Sequence, residues 1–80
     1  MEIKVLGPGC PKCKTLYQAT LNAVKELGID AQVVKEEDIV NIMNYGIMRT
    51  PGMVIDGKVV FSGRIPSQTE IIDFITKATQ

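Results

Sequence analysis

Both cysteines of this 80-residue chain fall within one tetrapeptide, Cys10-Pro11-Lys12-Cys13. That confinement limits how the chain can be held together. A disulfide across two intervening residues closes too small a loop to restrain the unfolded chain much. It cannot replace a core as the spread cysteines of small secreted scaffolds do. The fold must come from apolar packing, and apolar residues make up 45% of the chain, a normal share for a globular domain. A length of 80 residues allows one domain, 1–80. Such a chain buries a little over ~60% of its unfolded surface, a thin but sufficient core. The cysteine pair is therefore present for reactivity or for metal.

The charges exclude other classes. Nine basic and nine acidic residues cancel, so neither nucleic acid nor a membrane surface is an expected partner. There is no histidine, which removes the usual general base of Cys–His proteolysis and the commonest zinc ligand. No apolar run approaches the ~18 residues of a membrane span, and no basic segment leads into an apolar one at the start. A monomer in the cytoplasm is expected.

Periodicity and turn signals place the elements. Glu2–Leu6 is short, rich in branched residues and bounded by Gly7-Pro8-Gly9, which predicts a strand. A helix should follow, with Cys10 at its N-cap and Pro11 at its first position, where a missing N–H costs nothing. Cys13, Leu16, Tyr17, Thr20, Ala23, Val24 and Leu27 recur at three- and four-residue steps and predict its inner face, and Gly28 should end it. Ile29–Val34 reads as a second strand. Glu36, Glu37 and Asp38 then load the first turn of a second helix with an Ile39, Ile42, Met43 stripe, ending near Tyr45-Gly46. Met53–Ile55 and Lys58–Phe61 flank Asp56-Gly57, a strong hairpin signal. Ser67 and Glu70 make a capping box for a last helix whose buried face is Ile71, Ile72, Ile75 and Ala78. The order is β-α-β-α-β-β-α, an α/β chain with a four-stranded mixed sheet and helices on both faces.

A C-x-x-C where a strand meets a helix inside a βαβ unit is a redox signature. The thiolate is the nucleophile, and at the helix N-terminus it faces orphan N–H groups and the positive end of the dipole, an interaction worth roughly 0.3–2 kcal/mol. Lys12 and Lys14 add positive charge. Cys10 is the expected attacker, and Cys13, one turn in and shielded, the resolving thiol.

Here the chain resembles a known superfamily. Gly-Pro-Gly-Cys10-Pro11-Lys12-Cys13 is similar to the active-site segment of thioredoxins and glutaredoxins. Arg49-Thr50-Pro51-Gly52-Met53 is similar to the Thr/Val-Pro segment before their third strand. The size and the absence of an extra N-terminal β-α unit resemble the small "redox-active disulfide protein" group. The resemblance implies a minimal thioredoxin-like fold, a cis Pro51, and a Thr50 backbone that pairs with an extended substrate. Together with Gly9, Pro11 and Lys12, Thr50 and Pro51 form the implied substrate-binding set. It implies a disulfide oxidoreductase acting on disulfide-containing proteins, with a thioredoxin-reductase-type electron donor. No cofactor is expected beyond the Cys10–Cys13 disulfide, and no resident metal. The chain departs from the pattern in two places. Lys4 stands where thioredoxins carry a buried Asp, so no proton-shuttle acid carries over. Ser62-Gly63-Arg64-Ile65 lacks the acid that helps glutaredoxins hold glutathione, so a protein substrate is expected.

The alternative for the same cysteines is a soft-metal carrier for copper or zinc, or a non-catalytic thiol module. Copper-chaperone domains carry Met two residues before the first cysteine, where this chain has Pro8. Lys4 has two readings: a side chain that snorkels to an edge, or a buried cation that lowers the thiol pKa values. Tyr17 is read as core packing rather than catalysis, and Met43, Met48 and Met53 as core filling, with a pliable apolar docking surface beside the site as the alternative.

Overall fold

The computed structural model describes residues 1–9 and 11–79. Four strands and three helices follow one another as β1 (Glu2–Leu6), α1 (Pro11–Leu27), β2 (Gln32–Glu36), α2 (Ile39–Asn44), β3 (Gly52–Ile55), β4 (Lys58–Ser62) and α3 (Gln68–Thr79). The sheet order is β2-β1-β3-β4. β1 pairs parallel with β2 and antiparallel with β3, and β3 pairs antiparallel with β4, so the sheet is mixed.

Strand alternation sorts the core onto two faces. Ile3 and Val5 of β1, with Met53 and Ile55 of β3, face Leu16 and Ala23 of α1 and Ile71 and Ile75 of α3. Leu6 and Val54 face Ile42 of α2 on the other side. Helices thus cover both faces, as the α/β pattern predicts. The face carrying α1 and α3 holds most of the buried side chains, and Phe74 of α3 stacks on Phe61 of β4 at 5.4 Å.

The turn chemistry is local and legible. Asp56 (φ 49°) and Gly57 (φ 85°) both lie in the left-handed region, as a two-residue I′ hairpin turn requires. The Gly28 N–H closes on the carbonyls of Val24 and Lys25 at 3.1 and 3.2 Å and ends α1. The capping box forms as expected. Ser67 N–H donates to Glu70 Oε1, and Glu70 N–H donates to Ser67 Oγ, each at 3.2 Å.

Several boundaries differ from the sequence reading. β2 runs Gln32–Glu36, not Ile29–Val34, because its register is set by β1: Glu2 pairs with Gln32 and Leu6 with Glu36. Residues 29–31 are used in leaving α1. Glu36 therefore belongs to the strand and Glu37 to the link, and Asp38 is the N-cap of α2, accepting from the N–H groups of Val40 and Asn41. α2 buries Ile42 alone, against Leu6 and Val54, and leaves Ile39 and Met43 52% and 65% exposed. Met48 is also exposed, and only Met53 of the three methionines fills the core. Ala78 is exposed in the last turn of α3. Cys10, expected as the α1 N-cap, lies outside the described residues.

Candidate active site

The site forms where β1 hands over to α1. β1 ends at Leu6, and the Gly7 N–H extends its ladder by one bond to the Glu36 carbonyl at 2.9 Å. Pro8 and Gly9 then turn the chain, Gly9 at φ +88°, a conformation that favours glycine. α1 starts at Pro11, so Cys13 falls in its first turn. There Cys13 is 5% exposed and disulfide-bonded.

Three segments converge on Cys13. A methyl group placed on Gly7 would overlap Cys13 Sγ, would come within 2.9 Å of Cys13 Cβ, and would meet Thr50 Cβ at 3.9 Å. The end of β1, the first turn of α1 and the loop before β3 therefore meet with no spare layer between them. Thr50 is half-buried, and Pro51 is fully buried behind a cis Thr50–Pro51 bond. The Pro51 carbonyl accepts from Gly63 N–H at 2.8 Å, which ties this loop to the end of β4.

Of the residues singled out in the sequence, Cys13, Thr50 and Pro51 come together around Gly7. Pro11 and Lys12 lie exposed on the outer side of α1's first turn, and Gly9 is exposed at the turn before it. In the sequence Gly7 reads as a strand boundary and as the start of the Gly-Pro-Gly-Cys10 segment, with no role of its own. A glycine at a strand end, three residues before the first cysteine, was the available signal.

Two hollows flank the convergence. One, of about 60 Å³, opens beside Cys13 and is lined by Val5, Gly7, Gly9, Lys14, Lys35 and Glu37. The other, of about 240 Å³, runs past Thr50 between Pro8 and the apolar side chains of Ile39, Met43 and Met48.

Lys4 is not part of this site. Alternation puts it with Leu6 on the α2 face, opposite Val5 and Gly7. Its ammonium donates to the Tyr45 hydroxyl at 3.0 Å, lies 5.7 Å from that ring's centre, and sits 3.8 Å from a Glu2 carboxylate oxygen. The Tyr45 hydrogen bond holds the Lys4 pKa above the ordinary lysine value. Of its two readings, the structure favours the lysine that reaches out over the sheet, here to Tyr45, rather than a buried cation beside the thiols. Tyr17, read as packing, lies partly buried against the core with the Lys35 ammonium 4.6 Å over its ring. Arg64 pairs with Glu70 at 3.0 Å.

A family profile described as "Thioredoxin domain" matches residues 1–76. The chain belongs to the thioredoxin family. It is 46% identical over 69 residues to a protein named thioredoxin from Methanocaldococcus jannaschii, a match covering 86% of this chain and 79% of that one. A second, from Methanothermobacter thermautotrophicus and also named thioredoxin, is 39% identical over 71 residues, covering 89% of this chain and 92% of that one. Among solved structures, thioredoxin 1 from Thermosipho africanus superposes with a TM-score of 0.67 at 20% identity, covering 99% of this chain and 94% of that one, a likeness of fold. Within this thioredoxin-family frame, the sheet, the α1 start and the cis Thr50–Pro51 loop stand as the resemblance implied.

Proposed function

We propose that the chain is a thiol–disulfide oxidoreductase that exchanges a Cys10–Cys13 dithiol with disulfides of other proteins. The observation that carries this is the placement of Cys13: buried, disulfide-bonded, in the first turn of α1, and packed against Gly7 and Thr50. Relatives named thioredoxin support the general class.

In this reading the Cys10 thiolate, at the residue before Pro11, attacks a partner disulfide. One partner thiol leaves and Cys10 is joined to the other. Cys13 Sγ then attacks Cys10 Sγ, the mixed disulfide breaks, and the second partner thiol leaves. Two electrons pass from the dithiol to the partner, and two protons follow them. The burial of Cys13 supports this division of roles, since a thiol 5% exposed is poorly placed to meet a protein disulfide first. Thr50, Pro51, Gly9, Pro11 and Lys12 border the place where an extended substrate segment would lie. A reductase of the thioredoxin-reductase type would regenerate the dithiol, and the setting would be the cytoplasm.

The test is reduction of insulin disulfides by dithiothreitol with and without the protein. Acceleration by the wild type and its loss in Cys10→Ser are expected. No acceleration, or full activity in Cys10→Ser, would overturn the reading.

A further inference from the structure

Cys13 must give up a proton to become a nucleophile, and its burial leaves few ways out. The hollow of about 60 Å³ beside it is the route the structure offers, and it is wide enough for water. Its lining sorts simply. Val5, Gly7 and Gly9 bring no titrating side chain. Lys14 from α1 and Lys35 from β2 bring side chains that are hydrogen-bond donors only. Glu37, just past β2, is the one carboxylate among the described lining residues.

Its placement follows from the sheet. Lys35 pairs with Val5 in the parallel ladder, and the ladder continues through Gly7 N–H to the Glu36 carbonyl. Alternate residues share a face, so Lys35 and Glu37 lie on the face of Val5 and Gly7, toward α1. Glu36 points the other way, where its Oε1 accepts from Asp38 N–H at 3.2 Å and from the Asn41 amide at 3.3 Å. A Glu37 carboxylate oxygen reaches to 3.4 Å from where a Gly9 side chain would begin. Lys4 stays across the sheet on Tyr45. From the loop before β3, the uncharged Thr50 comes to 3.9 Å from where a Gly7 side chain would begin.

We propose that Glu37 is the proton acceptor for Cys13 in the resolving step, working through the hollow that both residues line. This rests on the oxidoreductase reading. Written out, the Cys13 S–H proton passes to the Glu37 carboxylate, directly or through water. Cys13 Sγ bonds to Cys10 Sγ as the bond from Cys10 to the partner sulfur breaks. The partner leaves as a thiolate and is protonated from solvent, and Glu37 returns its proton to solvent.

The experiment is stopped-flow mixing of the reduced protein with 5,5′-dithiobis(2-nitrobenzoate), an aromatic disulfide whose released thiolate is coloured. A first release reports attack by Cys10 and a second reports attack by Cys13. Glu37→Gln is expected to leave the first phase unslowed. At about pH 6 it should slow the second by roughly tenfold or more, approaching the effect of a positioned base. By about pH 9.5, where a thiol ionises unaided, the two proteins should converge. Glu37→Asp should recover part of the loss. Equal second phases for wild type and Glu37→Gln across the whole range would overturn the proposal, and so would a loss that is the same at every pH. A wild type without any second phase would instead overturn the oxidoreductase reading itself.

Discussion

Gly7 and Cys13 touch so closely that no side chain fits between them: a methyl on Gly7 would occupy the place of Cys13 Sγ. The neighbour is a bonded sulfur in the first turn of a helix and cannot swing away as a long flexible side chain would. Gly7→Ala should therefore displace α1's first turn from β1. Overpacking of this kind costs about 1–3 kcal/mol, and urea unfolding of the oxidised protein measures it. Gly28→Ala is a poor control because its φ is +65°, a separate source of strain. Ala19→Gly, at a half-buried position on α1, is a better reference for substitution as such, at about 1 kcal/mol.

The two faces of the sheet should differ in sensitivity. Ile75→Ala removes a fully buried side chain from the core between β1, α1 and α3 and should cost about 2–5 kcal/mol. Met48→Ser changes a residue 97% exposed and should stay within about 0.5 kcal/mol in the same unfolding measurement. If Met48 serves the groove beside Thr50, the change should appear in the rate of protein-disulfide reduction and not in stability.

Much of this was legible beforehand, for physical reasons that can be named. Asp56-Gly57 and Ser67…Glu70 are short-range chemistry, so the hairpin and the α3 start follow from adjacent residues. The α1 face follows from a period held over 17 residues. β2 was displaced because Ile29 and Val34 carry the right side chains but the register belongs to β1, a partner distant in the chain. The α2 stripe misled because a helix of six residues turns only Ile42 onto Leu6 and Val54. Cys13, Thr50 and Pro51 were found by motif. Gly7 belongs to the motif segment but Glu37 to none, and the relation of either to Cys13 exists only once β1, β2 and α1 are assembled.

Lys4 offers a negative test. Its ammonium lies on Tyr45, across the sheet from the Cys13 hollow. Lys4→Met should leave the pH midpoint of Cys10 reactivity, measured by iodoacetamide alkylation, where the wild type has it. A clear rise in that midpoint would restore the reading in which Lys4 favours the thiolates.

The Arg64 guanidinium, with Ser67 N–H, holds the Glu70 carboxyl below the ordinary carboxylate range. A depressed folded pKa contributes stability above the unfolded value near ~4.3 and loses it as pH falls through the folded value. Thermal unfolding should therefore show wild type above Glu70→Gln at neutral pH. The gap should close as the medium is acidified below that window, and should shrink with added salt because the pair is exposed. A gap that widens in acid would contradict the assigned direction.

The most direct measurement for the account as a whole is mass spectrometry of a trapped intermediate. Cys13→Ser, incubated with a disulfide-bonded protein such as insulin, should accumulate a covalent adduct through Cys10, released by dithiothreitol, whereas wild type should pass through it and end as the intramolecular disulfide. No adduct on Cys13→Ser, or an adduct that forms through Cys13 in Cys10→Ser at a comparable rate, would contradict the roles assigned to the two cysteines.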